Sequence, residues 1–346
     1  MKHLGFASIA ALKQYIRYAD AQNIDSHPLL RVLGLHENVL LSGEGRITGE
    51  QFQSFLSGLI ALTNDPLMGL ASALYVETHS YSLLGTIAEQ SDNLEHAIVR
   101  IPMFERLVGD MGTTEIERTR RYTSLAWHCN YDQPNVVPHM IDNVLASWTL
   151  YARWLTHSKA QPLAVYLARQ TPSPELQKTY RRVFSCPVYF EQKHNSIRIA
   201  HEHLSLPIHT KHQPNSQLPL EGKARTELSQ LRIEDETFKE RVSRSIRAHL
   251  QLGIASKELI AQEHVLSERH LQRQLSAEKC SYRDLLDEAR KERAMKFLSN
   301  TELSTTEIAH NLGYQDERCL FRSIKRWTGT TPQVLRTSML RSLAKH

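Results

Sequence analysis

The sequence is poor in the features that mark membrane spans, disulfide scaffolds and enzymes. No apolar run in its 346 residues approaches the ~18 needed to cross a bilayer. Its four cysteines, Cys129, Cys186, Cys280 and Cys319, are widely spaced with no CxxC pair. That pattern offers no disulfide framework and reads as reduced thiols. The opening Met1-Lys2-His3-Leu4-Gly5-Phe6 lacks the apolar core and cleavage site of a signal peptide, so a cytoplasmic protein is expected. No Ser/His/Asp order, metalloprotease motif or paired-carboxylate pattern supports catalysis. Gly43-Glu44-Gly45 is a turn without the flanking strand and helix of a phosphate loop. Neither an enzyme nor a cofactor is expected. Low-complexity tracts are absent, and a hydrophobic content of 41% argues against disorder.

What is present is unevenly spread. Lys239 to the C-terminus holds 20 Lys+Arg against 13 Asp+Glu, a balance of +7, whereas the rest carries −2 of the net +5. A basic excess confined to one region is what phosphate contact requires. That region contains two short units of the same design. In the second, Ser304 stands three residues before Glu307, the spacing of a capping box. Ala309 lets two helices approach, and Gly313 supplies the positive φ of a tight turn. The next helix begins near Asp316. It sets Arg318, Arg322, Lys325 and Arg326 on one side and Leu320, Ile324 and Trp327 on the other. In the first unit Ser256 caps a helix holding Leu259, Ile260 and Ala261, and Ser267 caps the next, which exposes Arg269, Gln272 and Arg273 and buries Leu271 and Leu275. Arg and Gln have the fork geometries that read guanine and adenine edges in a major groove. Between the units, Tyr282, Leu285, Leu286, Ala289, Ala294, Phe297 and Leu298 recur at mostly helical spacing. A rod over 282–300 is ~28 Å long, against ~34 Å for one turn of B-DNA, so one chain can present two readers to successive grooves of double-stranded DNA.

Residues 246–336 resemble the DNA-binding domain of the AraC/XylS family of bacterial transcription regulators. The resemblance rests on Ser267, Arg269, Leu271-Gln272-Arg273, Leu275, Leu285-Leu286, Arg290, Ala294, Glu307-Ile308-Ala309, Leu312-Gly313-Tyr314, Asp316, and the run from Arg322 through Lys325-Arg326-Trp327-Thr328-Gly329 to Pro332. It implies base-facing roles for Arg269, Gln272 and Arg273 in the first reader, and for Glu317, Arg318, Cys319 and Arg322 in the second. Two departures stand out. His264-Val265 replaces the family's Leu-Gly in the first turn. Because a β-branched residue is poor at positive φ, a reshaped turn is expected there. Leu320 and Ile324 replace two Phe, a swap that keeps apolar character. Cys319, on the reading face, is expected to pack near a thymine methyl; a redox switch is the alternative.

Residues 1–205 read as a separate α+β domain. Helices are expected over 9–19, 48–63, from Pro66 with Asp65 as its cap, over 83–89, 94–108, 137–157 and 176–184. A strand is expected over 162–168. Hairpins are expected over 114–122 with 124–129, and over 187–192 with 196–200. Five histidines crowd the end of this region: His194, His201, His203, His209 and His212. With only Glu202 beside them they read as exposed strand and loop residues rather than a zinc site. Asn64-Asp65-Pro66-Leu67-Met68-Gly69-Leu70, Leu84-Gly85 and Ser91-Asp92-Asn93-Leu94 resemble the effector domain of the ornithine-regulator-like branch of the AraC family. That domain is of the arabinose-binding type, although most members do not respond to arabinose. A linker over 206–237, with Pro207, Pro214 and Pro219 and a helix over 221–236, is expected to lead into a DNA-binding domain over 238–346.

The expectation is an α+β effector domain followed by an all-α domain of two helix-turn-helix units joined by a long helix. Its function would be a DNA-binding transcription regulator under small-molecule control, acting as a homodimer and meeting RNA polymerase if it activates. The alternatives are a regulator whose N-terminal domain only dimerises or binds a protein, and an enzyme fused to a DNA reader. Nothing in the sequence motivates the last.

Overall fold

A computed structural model describes residues 4–35, 45–157, 160–209, 217–231, 236–299 and 303–343. Gly43 and Glu44 of the expected turn, His212 and Pro214 of the expected linker, and Asn300 at the end of the expected rod lie outside them. The chain divides into two compact units, residues 1–115 with 122–228, and residues 229–346 with 116–121.

The N-terminal unit is α+β. Strands β1 (Phe6–Ser8) and β2 (Arg46–Thr48) pair antiparallel, Phe6 opposite Thr48, and each runs directly into a capped helix. The Ser8 hydroxyl accepts from the Ala11 N–H to start helix Ile9–Ala21, and Thr48 forms a capping box with Gln51 at the start of helix Gly49–Thr63. Leu12, Phe52, Phe55, Leu59 and, from helix Val137–Thr156, Leu145 are wholly buried in one core. Each such side chain contributes roughly 1.5–3 kcal/mol. Helix Met68–Ser72 lies so close to the long helix that a Cβ on Gly69 would sit 2.1 Å from the His139 carbonyl oxygen.

The larger sheet has the order β3-β4-β7-β5-β6, from β3 (Gly112–Arg118), β4 (Tyr122–Cys129), β5 (Ala164–Tyr166), β6 (Val188–Tyr189) and β7 (Ser196–Ala200). The hairpin expected over 187–192 and 196–200 does not form. Strand β5 takes the place between its two arms, pairing parallel to β6 and antiparallel to β7. A parallel neighbour needs a crossover, which helix Pro174–Phe184 supplies.

Three expected helices also differ. Asp65 does not cap a helix at Pro66. Its carboxylate accepts from the Leu67 N–H at 2.8 Å in a turn, and the helix begins at Met68. The helix expected over 94–108 is broken into Leu94–Ile98 and Ile101–Phe104, with a 3-10 turn Glu105–Leu107. Pro102 has no N–H to continue the first segment. The helix expected over 221–236 runs from Gln217 to Gln230, and a new helix, Phe238–Leu250, starts at the Thr237–Glu240 capping box.

The C-terminal unit is helical, with Lys257–Glu263 and Glu268–Ala277 forming one pair and Thr305–Asn311 and Glu317–Thr328 the other. Helix Tyr282–Ser299 belongs to both halves. Its Tyr282, Leu285 and Ala289 pack into the first core with Val242, Ile246, Leu271 and Leu275. Its Ala294, Phe297 and Leu298 pack into the second with Ile308, Leu312, Leu320 and Ile324.

Candidate nucleic-acid interface

Each reader helix starts where the sequence places a cap. The Ser267 hydroxyl accepts from the His270 N–H at 3.3 Å, and the Asp316 carboxylate from the Cys319 N–H at 2.9 Å. The bond from the Cys319 N–H holds the Asp316 carboxyl below its usual range. The helices before the readers start at Ser256, which accepts from the Leu259 N–H, and at the Ser304–Glu307 capping box.

In the first reader Leu271 and Leu275 are fully buried, while Arg269 and Arg273 are exposed and Gln272 half-buried. An Arg273 Nη2–H donates to His270 Nε2 at 3.1 Å, and Gln272 donates to the Ser276 hydroxyl at 3.3 Å. In the second reader Leu320 and Ile324 are fully buried, in keeping with the tolerated swap from Phe. Glu317, Arg318, Arg322, Lys325 and Arg326 are exposed, and Cys319 is half-buried. The residues singled out from the sequence are therefore all exposed or half-buried, and none lies in the core of its helix pair.

They are not equally available. The Glu317 carboxylate accepts from the hydroxyls of Thr305 and Thr306, both at 3.2 Å, and so ties the two helices of its unit together. Arg326 is paired with Asp287 of the joining helix. Arg322 reaches the Cys319 sulfur at 3.2 Å. Trp327 is half-buried beside the second core, and its indole N–H donates to Asp287 at 2.8 Å.

The two inter-helix turns follow one pattern. In the second, the Gly313 N–H donates to the His310 carbonyl and the Tyr314 N–H to the Ala309 carbonyl, with Gly313 at φ 67°. In the first, the Val265 N–H donates to the Gln262 carbonyl and the Leu266 N–H to the Ala261 carbonyl. Val265 itself takes φ 56°. The expected reshaping does not occur: valine is forced into the left-handed region, with its side chain 70% exposed.

Sequence reasoning missed what braces these turns. Under the first lies a buried polar cluster. His249, 1% exposed, donates from Nε2 to Glu263 at 2.6 Å. The Ser245 hydroxyl donates to Glu263 at 2.7 Å, so the His264 ring at 3.1 Å must donate Nε2–H to the Ser245 oxygen. Burial pushes the Glu263 carboxyl up, but the hydrogen bonds and charge of its neighbours outweigh it and hold the group below its usual range. Burial keeps the His264 ring below its usual range. Under the second turn, Arg290 donates from Nε to the Leu312 carbonyl at 3.0 Å and from Nη2 to the Gly313 carbonyl at 3.3 Å. Its guanidinium lies 4.4 Å from the Tyr314 ring centre. The only sequence signal at Arg290 was its place among the residues shared with the AraC family. Among the described residues no group of three His, Cys, Asp or Glu side chains is placed to hold a metal. Nor is any helix there long and apolar enough to cross a membrane.

Two helix-turn-helix pairs on one connecting helix, following a separate α+β unit in the chain, define a DNA-binding regulator rather than an enzyme. Residues 24–208 match the arabinose-binding domain of AraC transcription regulators, N-terminal, and residues 260–338 match a helix-turn-helix domain. The chain belongs to the AraC family of transcription regulators, in the branch that carries the arabinose-binding type of N-terminal domain. It is 26% identical over 294 residues to the Ornithine utilization regulator of Pseudomonas aeruginosa, covering 85% of each chain. Over 157 residues it is 31% identical to the HTH-type transcriptional regulator VirS of Mycobacterium tuberculosis, covering 45% of each. Its fold resembles the crystal structure of transcriptional regulator CdpR from Pseudomonas aeruginosa, at 17% identity and a TM-score of 0.50, covering 95% of this chain and 98% of that one.

Proposed function

We propose that this regulator reads two successive major grooves of double-stranded DNA with one chain, under the control of a small molecule bound in its N-terminal unit. The carrying observation is the pair of capped reader helices, one at each end of the 18-residue helix Tyr282–Ser299, each presenting exposed arginines over a buried apolar face. In this reading Arg269, Gln272 and Arg273 face bases in the first groove, and Arg318, Cys319 and Arg322 face bases in the second. Lys325 serves phosphate, while Glu317 and Arg326, held by Thr305, Thr306 and Asp287, chiefly position the second reader. The working species is a cytoplasmic homodimer that meets RNA polymerase where it activates.

Selection of genomic fragments at near-physiological salt tests the DNA half, with the parent and an Arg318→Ala, Arg322→Ala double variant. The expected result is a few loci sharing two half-sites about one turn apart, lost or altered in the double variant. Salt-sensitive capture of all fragments, unchanged in the variant, would show that the basic face only holds phosphates. The effector half is tested by heating the full chain with a protein-free extract of the host cells. A molecule that binds only the native state must raise the apparent melting temperature. If no extract raises it, the N-terminal unit serves dimerisation or a protein partner instead.

A further inference from the structure

The N-terminal unit contains a half-enclosed cavity of about 890 Å³, counting its open mouth, between helix Ser82–Glu89, the broken helical stretch after Leu94, helix Val137–Thr156 and strand β7. None of the twenty residues that line it is Asp, Glu, Lys or Arg. Its walls are hydrocarbon and aromatic ring, from Leu84, Ile98 and Leu125 to Trp148 and Leu155. Two of the few polar lining groups are already engaged within the protein. The Thr149 hydroxyl donates to the Leu145 carbonyl at 3.0 Å, and the Tyr151 hydroxyl donates to the Gly85 carbonyl at 3.0 Å.

Apart from the Tyr81 hydroxyl and the Trp148 indole N–H, the remaining side-chain polarity gathers at one place. Gln161 and His203 both line the cavity and are joined through the Gln161 carbonyl and His203 Nδ1 at 2.9 Å. A carbonyl only accepts, so Nδ1 carries the proton in that bond. In the neutral ring Nε2 is then an acceptor, and in the protonated ring it is a donor. One of the five crowded histidines thus stands at the cavity wall, a placement that sequence reading did not find.

A sugar presents hydroxyls around its whole ring, and an amino acid such as ornithine carries a carboxylate and two ammonium groups. Burying either against these walls would leave polar or charged groups without partners, a desolvation cost that nothing there offsets. An apolar body gains by leaving water, and one polar end suffices where the site offers one polar edge. We infer that the effector of this regulator is an apolar molecule with a single hydrogen-bonding end, an acid or an alcohol, whose hydrocarbon body fills the cavity and whose polar end meets Gln161 and His203. The inference rests on the reading that the N-terminal unit binds a small molecule. It narrows that reading against the sugar suggested by the domain's name and the amino acid suggested by the name of one relative.

The test uses the full chain and four defined probes: octanoic acid, octan-1-ol, L-arabinose and L-ornithine. The first two are kept below the concentrations at which they form aggregates. Melting is followed for the parent and for Ala97→Leu and Ala152→Leu, which place extra carbons in the cavity. Octanoic acid or octan-1-ol is expected to raise the melting temperature of the parent, with the rise lost in at least one filled variant that still melts cooperatively on its own. Titration followed by tryptophan fluorescence is the second measurement, for use if both filled variants fail to fold. The signal change is expected in the parent and is lost in Trp148→Phe. Stabilisation by L-arabinose or L-ornithine alone overturns the inference and leaves small-molecule control standing. No response to any of the four, while host extract still stabilises the chain, overturns the apolar assignment only. No response to the extract either removes the underlying reading with it.

Discussion

The first inter-helix turn is made by Val265 at φ 56° and the second by Gly313 at φ 67°. The hydrogen bonds across the two turns match, and each closes onto an alanine carbonyl, Ala261 in one and Ala309 in the other. A left-handed residue with a Cβ costs roughly 1–2 kcal/mol that glycine does not pay. The two units therefore reach one geometry from unequal local preferences, and they are braced differently. The first rests on a buried polar cluster of Glu263, His249, Ser245 and His264. The second is held from the joining helix by Arg290 and Asp287. The lesson is that apolar packing on both sides dictates the turn, and a disfavoured residue follows where its neighbours supply enough to offset the strain.

Substitutions at four positions test that contrast. The largest effect is expected for Glu263→Ala, which leaves His249 buried without its partner and should cost about 3 kcal/mol, read from urea unfolding. Its pH dependence carries a sign. The folded Glu263 carboxyl sits below its unfolded value of 4.5, so its contribution is present above that pH and lost as pH falls through the folded value. Glu263→Gln should flatten this acid loss; an unchanged slope would mean that the cluster does not brace the first unit. Next, Arg290→Ala removes two charge-assisted bonds to turn carbonyls, at about 2 kcal/mol. The loss should appear as faster hydrogen exchange confined to the second pair of helices. Exchange rising equally in both pairs would show that Arg290 holds the joining helix as a whole. Arg273→Ala should cost ~1–3 kcal/mol at the preferred site and relax base choice locally. A fall that is equal on all sequences would reassign Arg273 to phosphate. Smallest is Val265→Gly, expected to stabilise the first unit by about 1 kcal/mol by removing the strain, less the extra freedom glycine gives the unfolded chain. Destabilisation there would show that the exposed valine side chain is held by something else.

Much of the C-terminal unit was legible because its signals are local. Caps at Ser256, Ser267, Ser304 and Asp316 act within one turn, and the buried leucines of each reader follow from helical period alone. The N-terminal sheet was less legible. Strand β5 separates β6 from β7, and that choice depends on a partner far along the chain rather than on the short loop at His194 and Asn195. For the same reason the roles of Asp287, Arg290 and His249 could not be read. Each is an ordinary polar residue on a helix until a segment 14 or more positions away folds against it. The reader residues were named from their helix face, but that Glu317 and Arg326 are engaged within the protein emerged only from the packing.

Helix Tyr282–Ser299 donates one end of its apolar stripe to each core, so it sets rotational phase as well as spacing. An α-helix turns about 100° and advances ~1.5 Å per residue. Adding one residue to its middle would swing the second reader by more than a quarter turn while barely moving it along the axis. Adding four would restore most of the phase and lengthen the rod by ~6 Å. The two capped helix pairs are thus locked by angle before distance, and the helix acts as a key whose teeth must keep their bearing.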